Sequence, residues 1–396
     1  MNGSGTTLGQ NVARLRQLRH MTQVSLAAAA GVSPDTVRKL EQGQRHTISM
    51  PNLHRLARAL DVDAAELLPR TATLPLEGPE SGAVAIRRAL TPVDDLIGSD
   101  LDAEPLTLEE ARRTAAFGWG AYWSGDYGRL GILLPTALEQ MRATVRSVST
   151  AERSRAAEYA AIVHQLAACT LVHLGYGDVA HQALREALRL AELGDDELLP
   201  PVLRCSMAWL LLTQGRFVES HKLATATAAT VAPSGTSVLE AWSVYGTLLL
   251  TGATAAARAG DRPIAGVLLD QAAEAAQRTG ARNDYESAFG PDQVLMQSVD
   301  VEVVTENYDV AITRAHDMPA NSSLPVAARA RHLSDVALAQ TRLGHDGAAL
   351  DALLRMEQIA PAWTRFQGQP REIVRELRER AAPSMLLELA ARMGIR

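Results

Sequence analysis

The sequence predicts an all-α protein, with a small N-terminal domain of five helices followed by a solenoid of stacked helical hairpins. Three observations predict it. Alanine supplies 67 of the 396 residues while aromatics make up only 4%, a balance that favours helix and disfavours strand. Apolar residues recur at helical spacing along most of the chain. Charge divides unevenly: residues 1–70 carry nine Lys+Arg against five Asp+Glu, or +4, whereas residues 71–396 carry 30 against 40, or -10. A basic head on an acidic body is the pattern of a nucleic-acid-binding module joined to a regulatory or scaffolding domain. The expected division is a head at 1–70, a linker and connecting helix at 71–106, and the body at 107–396. Lys39 and Lys222 are the only lysines, so the arginine excess reflects residue usage and is not itself a sign of DNA contact.

The head reads in order as five short helices. Leu8, Val12, Leu15 and Leu18 mark one face of the first. Thr22 supplies an N-cap hydroxyl for an alanine-rich second helix over 23–30, which Gly31 stops by adopting the left-handed conformation of a tight turn. Val32 plugs that turn. Ser33 caps the third helix, Pro34 takes the first position where no amide donor is needed, and Asp35 complements the helix dipole, with Val37 and Leu40 facing inward. Gly43 ends it. A fourth helix carries Leu53, Leu56, Ala57 and Leu60, and a short fifth holds Ala64, Leu67 and Leu68.

The run TQVSLAAAAGVSPDTVRKLEQG, from Thr22 to Gly43, resembles the helix-turn-helix of the lambda-repressor-like, Cro-type (XRE) DNA-binding proteins. The likeness takes in the Leu26-Ala27 pair, the Gly31-Val32-Ser33 turn, the Leu40-Glu41 exit and the trailing Leu-x-x-Leu-Ala pattern. It implies double-stranded DNA as partner, a two-fold operator bound by a homodimer, and a third helix laid in the major groove. On that helix Arg38 or Lys39 would donate to guanine O6 and N7, Asp35 would accept from cytosine N4, and Pro34 would touch a thymine methyl, with Ser33 and Thr36 flanking them. Gln23, Gln42 and Arg45 stand where similar proteins place phosphate contacts, and Arg16 and Glu41 where they place a buried ion pair joining helices one and three.

The stretch PRTATLPLEGPESG, from Pro69, breaks periodicity and reads as linker. Beyond residue 107, long apolar-periodic helices alternate with turns that look alike, at Gly125, Gly177, Gly215, Gly260, Asn307 and Gly344, in steps of 52, 38, 45, 47 and 37. These exceed the tetratricopeptide period of about 34 and read as degenerate repeats of that kind. Six hairpins in series share a core that none could form alone, with Arg371 to Met393 as a closing cap. The body resembles the tetratricopeptide-type sensor domain attached to Cro-type regulators of actinobacterial character. Ser287-Ala-Phe-Gly-Pro-Asp-Gln-Val294 is similar to a Phe-Gly-Pro signature of that group, with Asp292 and Gln293 in place of the more usual threonine and asparagine.

The first helix of each hairpin builds the concave face of a solenoid, so polar or aromatic residues interrupting those helices are the candidate ligand contacts. They are His164, Arg204, Trp242, Tyr245, Gln293, Gln297 and Arg331. Trp209, amid leucines, reads as core. Catalytic motifs are missing: no GxxxxGK[ST] loop, no GxGxxG after a strand, no GxSxG and no HExxH. The acidic pairs Asp94-Asp95 and Asp195-Asp196 fall at helix ends or in loops. No cofactor and no metal site is expected. Cys169 and Cys205 lie in apolar helical stretches as buried thiols. Without an apolar run near 18 residues or a leader pattern, neither membrane contact nor export is expected, which leaves the cytoplasm. The function expected is a non-enzymatic transcriptional regulator whose repeat domain senses a peptide or small-molecule effector and mediates dimerisation. The alternative is a DNA-tethered scaffold whose repeats bind a protein partner.

Overall fold

A computed structural model describes residues 7–45, 48, 50–62, 64–67, 82–93, 103–381 and 383–395. Leu68, most of the linker (69–81) and Asp94-Asp95 lie outside the described residues. All regular structure among the described residues is helical.

The head is built as the caps dictate. Helix α1 (Leu8–Leu18) starts at a capping box in which Thr7 and Gln10 satisfy each other's backbone amides. Helix α2 (Gln23–Ala30) starts at Thr22, whose hydroxyl accepts from the Ser25 amide, and ends at Gly31 with φ 62°. Helix α3 (Pro34–Glu41) starts at Ser33, which accepts from the Thr36 amide. With α4 (Met50–Ala59) and α5 (Ala64–Leu67) these helices enclose Val12, Leu26, Val37, Leu40, Leu53, Leu56, Leu60 and Leu67 in one core. Leu18 departs from expectation, being 64% exposed. At about 100° per residue it lies roughly 80° round the helix from Leu8, off the face that Val12 and Leu15 share.

Helix α6 (Gly82–Leu90) packs on the body through Ile86 and Ala89. Six hairpins follow: α7/α8 (Leu108–Ser124, Tyr127–Ser147), α9/α10 (Arg153–His173, Gly177–Ala191), α11/α12 (Leu199–Thr213, Phe217–Val231), α13/α14 (Leu239–Ala259, Arg262–Thr279), α15/α16 (Pro291–Val304, Tyr308–Ala315) and α17/α18 (Val326–Arg342, Asp346–Ile359). Each turns on one left-handed residue, at positions 125, 175, 215, 260, 306 and 344. The second and fifth are thus Gly175 and Glu306, not Gly177 and Asn307. In both turns the residue singled out from the sequence lies one or two places later, at the start of the following helix, where φ is negative. Alanine gives the hairpins their close approach: Ala161, Ala167, Ala180, Ala187, Ala253, Ala265, Ala272 and Ala275 have no more than 1% of their surface exposed.

The array winds far enough for its ends to meet. Helix α17 packs against α7, and α19 (Pro361–Phe366) sets Trp363 so close to the first hairpin turn that a Cβ on Gly125 would lie 2.6 Å from the Trp363 Cβ. Phe366 meets Tyr127 edge-on at 5.4 Å between ring centroids. Helices α20 (Gly368–Arg380) and α21 (Ser384–Arg392) cover the far end. The first helices of all six hairpins therefore surround a common space.

Candidate DNA-reading face and ring cavity

Helix α3 is held on α1 by a nearly buried ion pair. Arg16 donates from Nε to Glu41 Oε1 at 2.6 Å and from Nη2 to Oε2 at 2.8 Å, while its Nη1 donates to the Met21 carbonyl at 2.8 Å. The side chains are 13% and 7% exposed. Burial alone would raise the Glu41 carboxyl, but hydrogen bonds from Arg16 and Gln23 bring it below its ordinary value. Gln23 belongs to this network, donating to Glu41 Oε2 at 2.8 Å. Its amide therefore braces the ion pair in the free protein, a placement that capping and charge patterns do not disclose.

The outer face of α3 presents Pro34, Asp35, Arg38 and Lys39 to solvent, with Thr36 partly covered and bonded to the Ser33 hydroxyl at 2.9 Å. Gln42 is exposed beyond them and Arg45 half-buried. Asp35 bridges both cationic side chains, a short contact to Arg38 and 2.7 Å to the Lys39 ammonium. Lys39 and Arg38 together hold the Asp35 carboxyl below its ordinary value. The two candidate guanine donors are thus restrained by an exposed carboxylate that competes with DNA. Asp35→Ala is expected to tighten binding to unrelated sequences severalfold and to steepen its salt dependence, at little cost in stability since exposed ion pairs contribute little. Anisotropy titrations across salt concentrations check this.

The space enclosed by the hairpins is a cavity of about 1190 Å³. Each inner helix contributes a stripe at spacings of three or four residues: Trp119, Tyr122 and Trp123 from α7; Gln165, Cys169 and His173 from α9; Cys205, Ser206 and Trp209 from α11; Thr247, Thr251, Thr254 and Arg258 from α13; Gln293, Met296, Gln297 and Asp300 from α15; Ala328, Arg331 and Asp335 from α17. Nine of the chain's sixteen aromatic residues line it. Trp119 stacks near Trp123 at 6.4 Å, and the Tyr122 hydroxyl lies 3.0 Å from His173 Nε2. Burial and the Arg331 charge push His173 down to about 4, so the ring is neutral. Burial pushes the Cys169 and Cys205 thiols up to about 12 and 11, far from thiolate reactivity.

The cavity wall also carries a cluster of charges, on α13, α15 and α17. Asp300 accepts from Arg331 at 3.2 Å, from Arg258 at 3.4 Å and from Gln297 at 3.2 Å. Among the described residues its neighbour Asp335 accepts only from Gln369, at 3.1 Å, and its buried Oδ2 has no hydrogen-bond partner. Burial first, and Asp300 second, raise the Asp335 carboxyl to about 7. Folding therefore takes up a proton between the ordinary value of 3.8 and about 7, and stability falls as the pH rises through that window. Asp335→Asn removes the cost. The melting temperatures of variant and wild type should coincide near pH 4 and separate in the variant's favour, by the equivalent of a few kcal/mol, above pH 7.

Among the sequence-derived candidates, Gln293, Gln297 and Arg331 line the cavity. The other four stand on inner helices but off the lining stripes. His164 is buried with Nδ1 2.8 Å from the Ala160 carbonyl, and Arg204 is half-buried on α11. The Trp242 ring lies 4.5 Å from the Arg278 guanidinium and meets Tyr245 edge-on at 6.3 Å. Trp119, Tyr122, Trp123, Asp300 and Asp335 were not singled out from the sequence, although three aromatics at i, i+3 and i+4 and two carboxyls inside apolar helices are legible signals. One wall segment is strained: Tyr285, Glu286 and Ala288 hold φ of 49°, 58° and 51°. Such conformations cluster at ligand and switch sites. The Tyr285 hydroxyl anchors the segment on Asp196 at 2.9 and 3.0 Å. Among the described residues no group of three or more His, Cys, Asp or Glu could hold a metal ion, and no helix is long and apolar enough to cross a membrane.

Residues 12–67 match the Helix-turn-helix family. With α3 outward and its polar N-terminal half uncovered, the head is a helix-turn-helix domain, the class of fold that supports DNA binding. The matched domain is of the XRE type. None of the curated proteins and none of the solved structures matches the chain.

Proposed function

We propose that the protein is a ligand-responsive, sequence-specific transcriptional regulator, in which tetratricopeptide-like hairpins enclose an effector and a homodimer of heads binds a two-fold operator. The observation that carries the sensing half is the ring cavity, closed by contact between α7 and α17, with Gln293, Gln297 and Arg331 on its wall. A space of about 1190 Å³ exceeds the usual small-molecule pocket and suits a large effector or a short peptide. Enclosure by six inner helices favours such an occupant over an extended protein partner. The wall also includes Glu66 of α5, and a neighbouring cleft lies between Ala57 and Asp61 of the head and Gln214 and Arg216 of the third hairpin turn. An occupant that binds one curvature of the ring more tightly shifts the head it touches, and only that difference in affinity can switch DNA binding.

Two heads are needed because one recognition helix reads too few base pairs. Half-sites should lie about one helical turn, roughly 34 Å, apart. Selection of bound genomic fragments with the full chain, followed by footprinting, tests this. The reading expects a two-fold site whose occupancy changes when cell extract is added; affinity indifferent to every extract removes the sensing half. Arg38→Ala or Lys39→Ala should relax base preference at defined positions by about 1–3 kcal/mol, whereas Gln42→Ala or Arg45→Ala should weaken all sequences alike and flatten the salt slope. Equal effects from all four across every base pair would refute that division.

A further inference from the structure

We propose that the ring cavity takes a lipophilic organic cation, whose charge is neutralised by Asp335 and Glu286 and whose body lies against the aromatic wall. The claim rests on the sensor reading only for its regulatory consequence. Five carboxyl groups line the cavity against three arginines, with His173 held neutral. Two of the arginines, Arg258 and Arg331, are both engaged by Asp300, so an incoming anion would have to compete with a buried carboxylate. Asp335 and Glu286 differ. Among the described residues neither has an ion-pair partner; Asp335 is held by Gln369 and Glu286 by Asn283. A buried carboxylate without a counter-charge is costly, and burial raises both groups above their ordinary values. A ligand cation supplies the missing charge.

The rest of the wall suits the same ligand. Trp119, Tyr122 and Trp123 form a continuous aromatic surface, with centroid separations of 5.1 and 5.2 Å about Tyr122. Aromatic faces attract cations, most strongly where water is excluded. Glu286 belongs to the strained segment, so the backbone conformation brings a second carboxyl to the aromatic side. The volume has room for several rings, which a simple ammonium ion would leave unfilled.

Tetraphenylphosphonium and tetraphenylborate test the claim, because they share shape and differ in sign of charge. Four of the five tryptophans line the cavity, so intrinsic fluorescence of the full chain reports binding, and calorimetry gives the affinity. Tetraphenylphosphonium should bind at least tenfold tighter than the borate, and Asp335→Asn should weaken it at least fivefold without loss of helicity or melting temperature. Trp123→Leu should weaken it as well. Affinity for the phosphonium should fall between pH 8 and pH 5.5 in the wild type and fall less steeply in Asp335→Asn, where only Glu286, itself raised, remains to titrate, since Asp335 titrates in that window among Asp300, Arg331, Arg258 and Gln369. Equal or tighter binding of the borate overturns the proposal in favour of an anion site at the arginines. Binding of neither ion, or phosphonium binding indifferent to Asp335→Asn, also overturns it. If extract alters operator affinity while the phosphonium does not bind, the sensor reading stands and the cation claim falls; phosphonium binding with operator affinity untouched by any extract gives the reverse.

Discussion

Glu41→Ala is expected to unfold the N-terminal domain and abolish DNA binding, and Arg16→Ala to do the same. Each removes one partner of a pair that is 7% and 13% exposed and bonded at two points. An uncompensated buried charge costs about 3–5 kcal/mol, comparable with the whole stability of a domain of some 60 residues at about 0.05–0.15 kcal/mol per residue. Loss of Glu41 also strands the Gln23 amide. Melts followed by circular dichroism should lose a small early transition and keep that of the body. Acid does reversibly what substitution does: the Glu41 carboxyl is lowered in the fold, so the pair's contribution is complete above the ordinary value of 4.5 and is lost as the pH falls below it. A double replacement by apolar residues of similar volume should restore the fold without the pair. An Arg16→Ala head that stays folded but no longer binds DNA would instead make Arg16 a DNA contact.

Phe289→Ala is expected to cost about 3–5 kcal/mol and to release one side of the cavity. The ring is fully buried, and its tip fills the notch left by Gly246, where a Cβ would stand 2.0 Å from Phe289 Cζ. It directly follows the left-handed residues of the preceding segment, which are expected to relax once the ring is removed. Gly246→Ala should cost a similar amount by expelling the ring. Pairing Gly246→Ala with Phe289→Leu should recover part of the loss, a coupling that a double-mutant cycle measures. Amide exchange between residues 283 and 291 should accelerate in Phe289→Ala; an unchanged rate there would show that the strain is held from elsewhere.

The head was legible because its signals are local. Caps at Thr22 and Ser33, the turn at Gly31 and the placement of Arg16 against Glu41 depend on spacings of a few residues or on one recurrent motif, and the structure carries each of them. The hairpin solenoid was legible for the same reason, through its turns. The closure of the ring was not, since periodicity determines that hairpins stack but not how far the stack winds. Helical phase was the other missing quantity. Trp242 and Tyr245 belong to α13, as a lining residue should, yet the cavity stripe on that helix runs through Thr247, Thr251 and Thr254. The polar interruptions that mattered most, Asp300 and Asp335, are visible as carboxyls within apolar helices, but only the fold shows that one is paired and the other is not.

The central claim is that occupancy of the ring controls the head, and filling the ring tests it most directly. Ala328→Trp and Thr251→Trp place an indole on the cavity wall at two positions outside the head. Operator affinity of the full-length protein would be measured with and without an extract fraction that changes tryptophan emission. The account predicts at least a tenfold change for the wild type, about 1.4 kcal/mol of differential binding, and none for either filled variant, whose heads still melt as wild type. An undiminished response in both filled variants would contradict it.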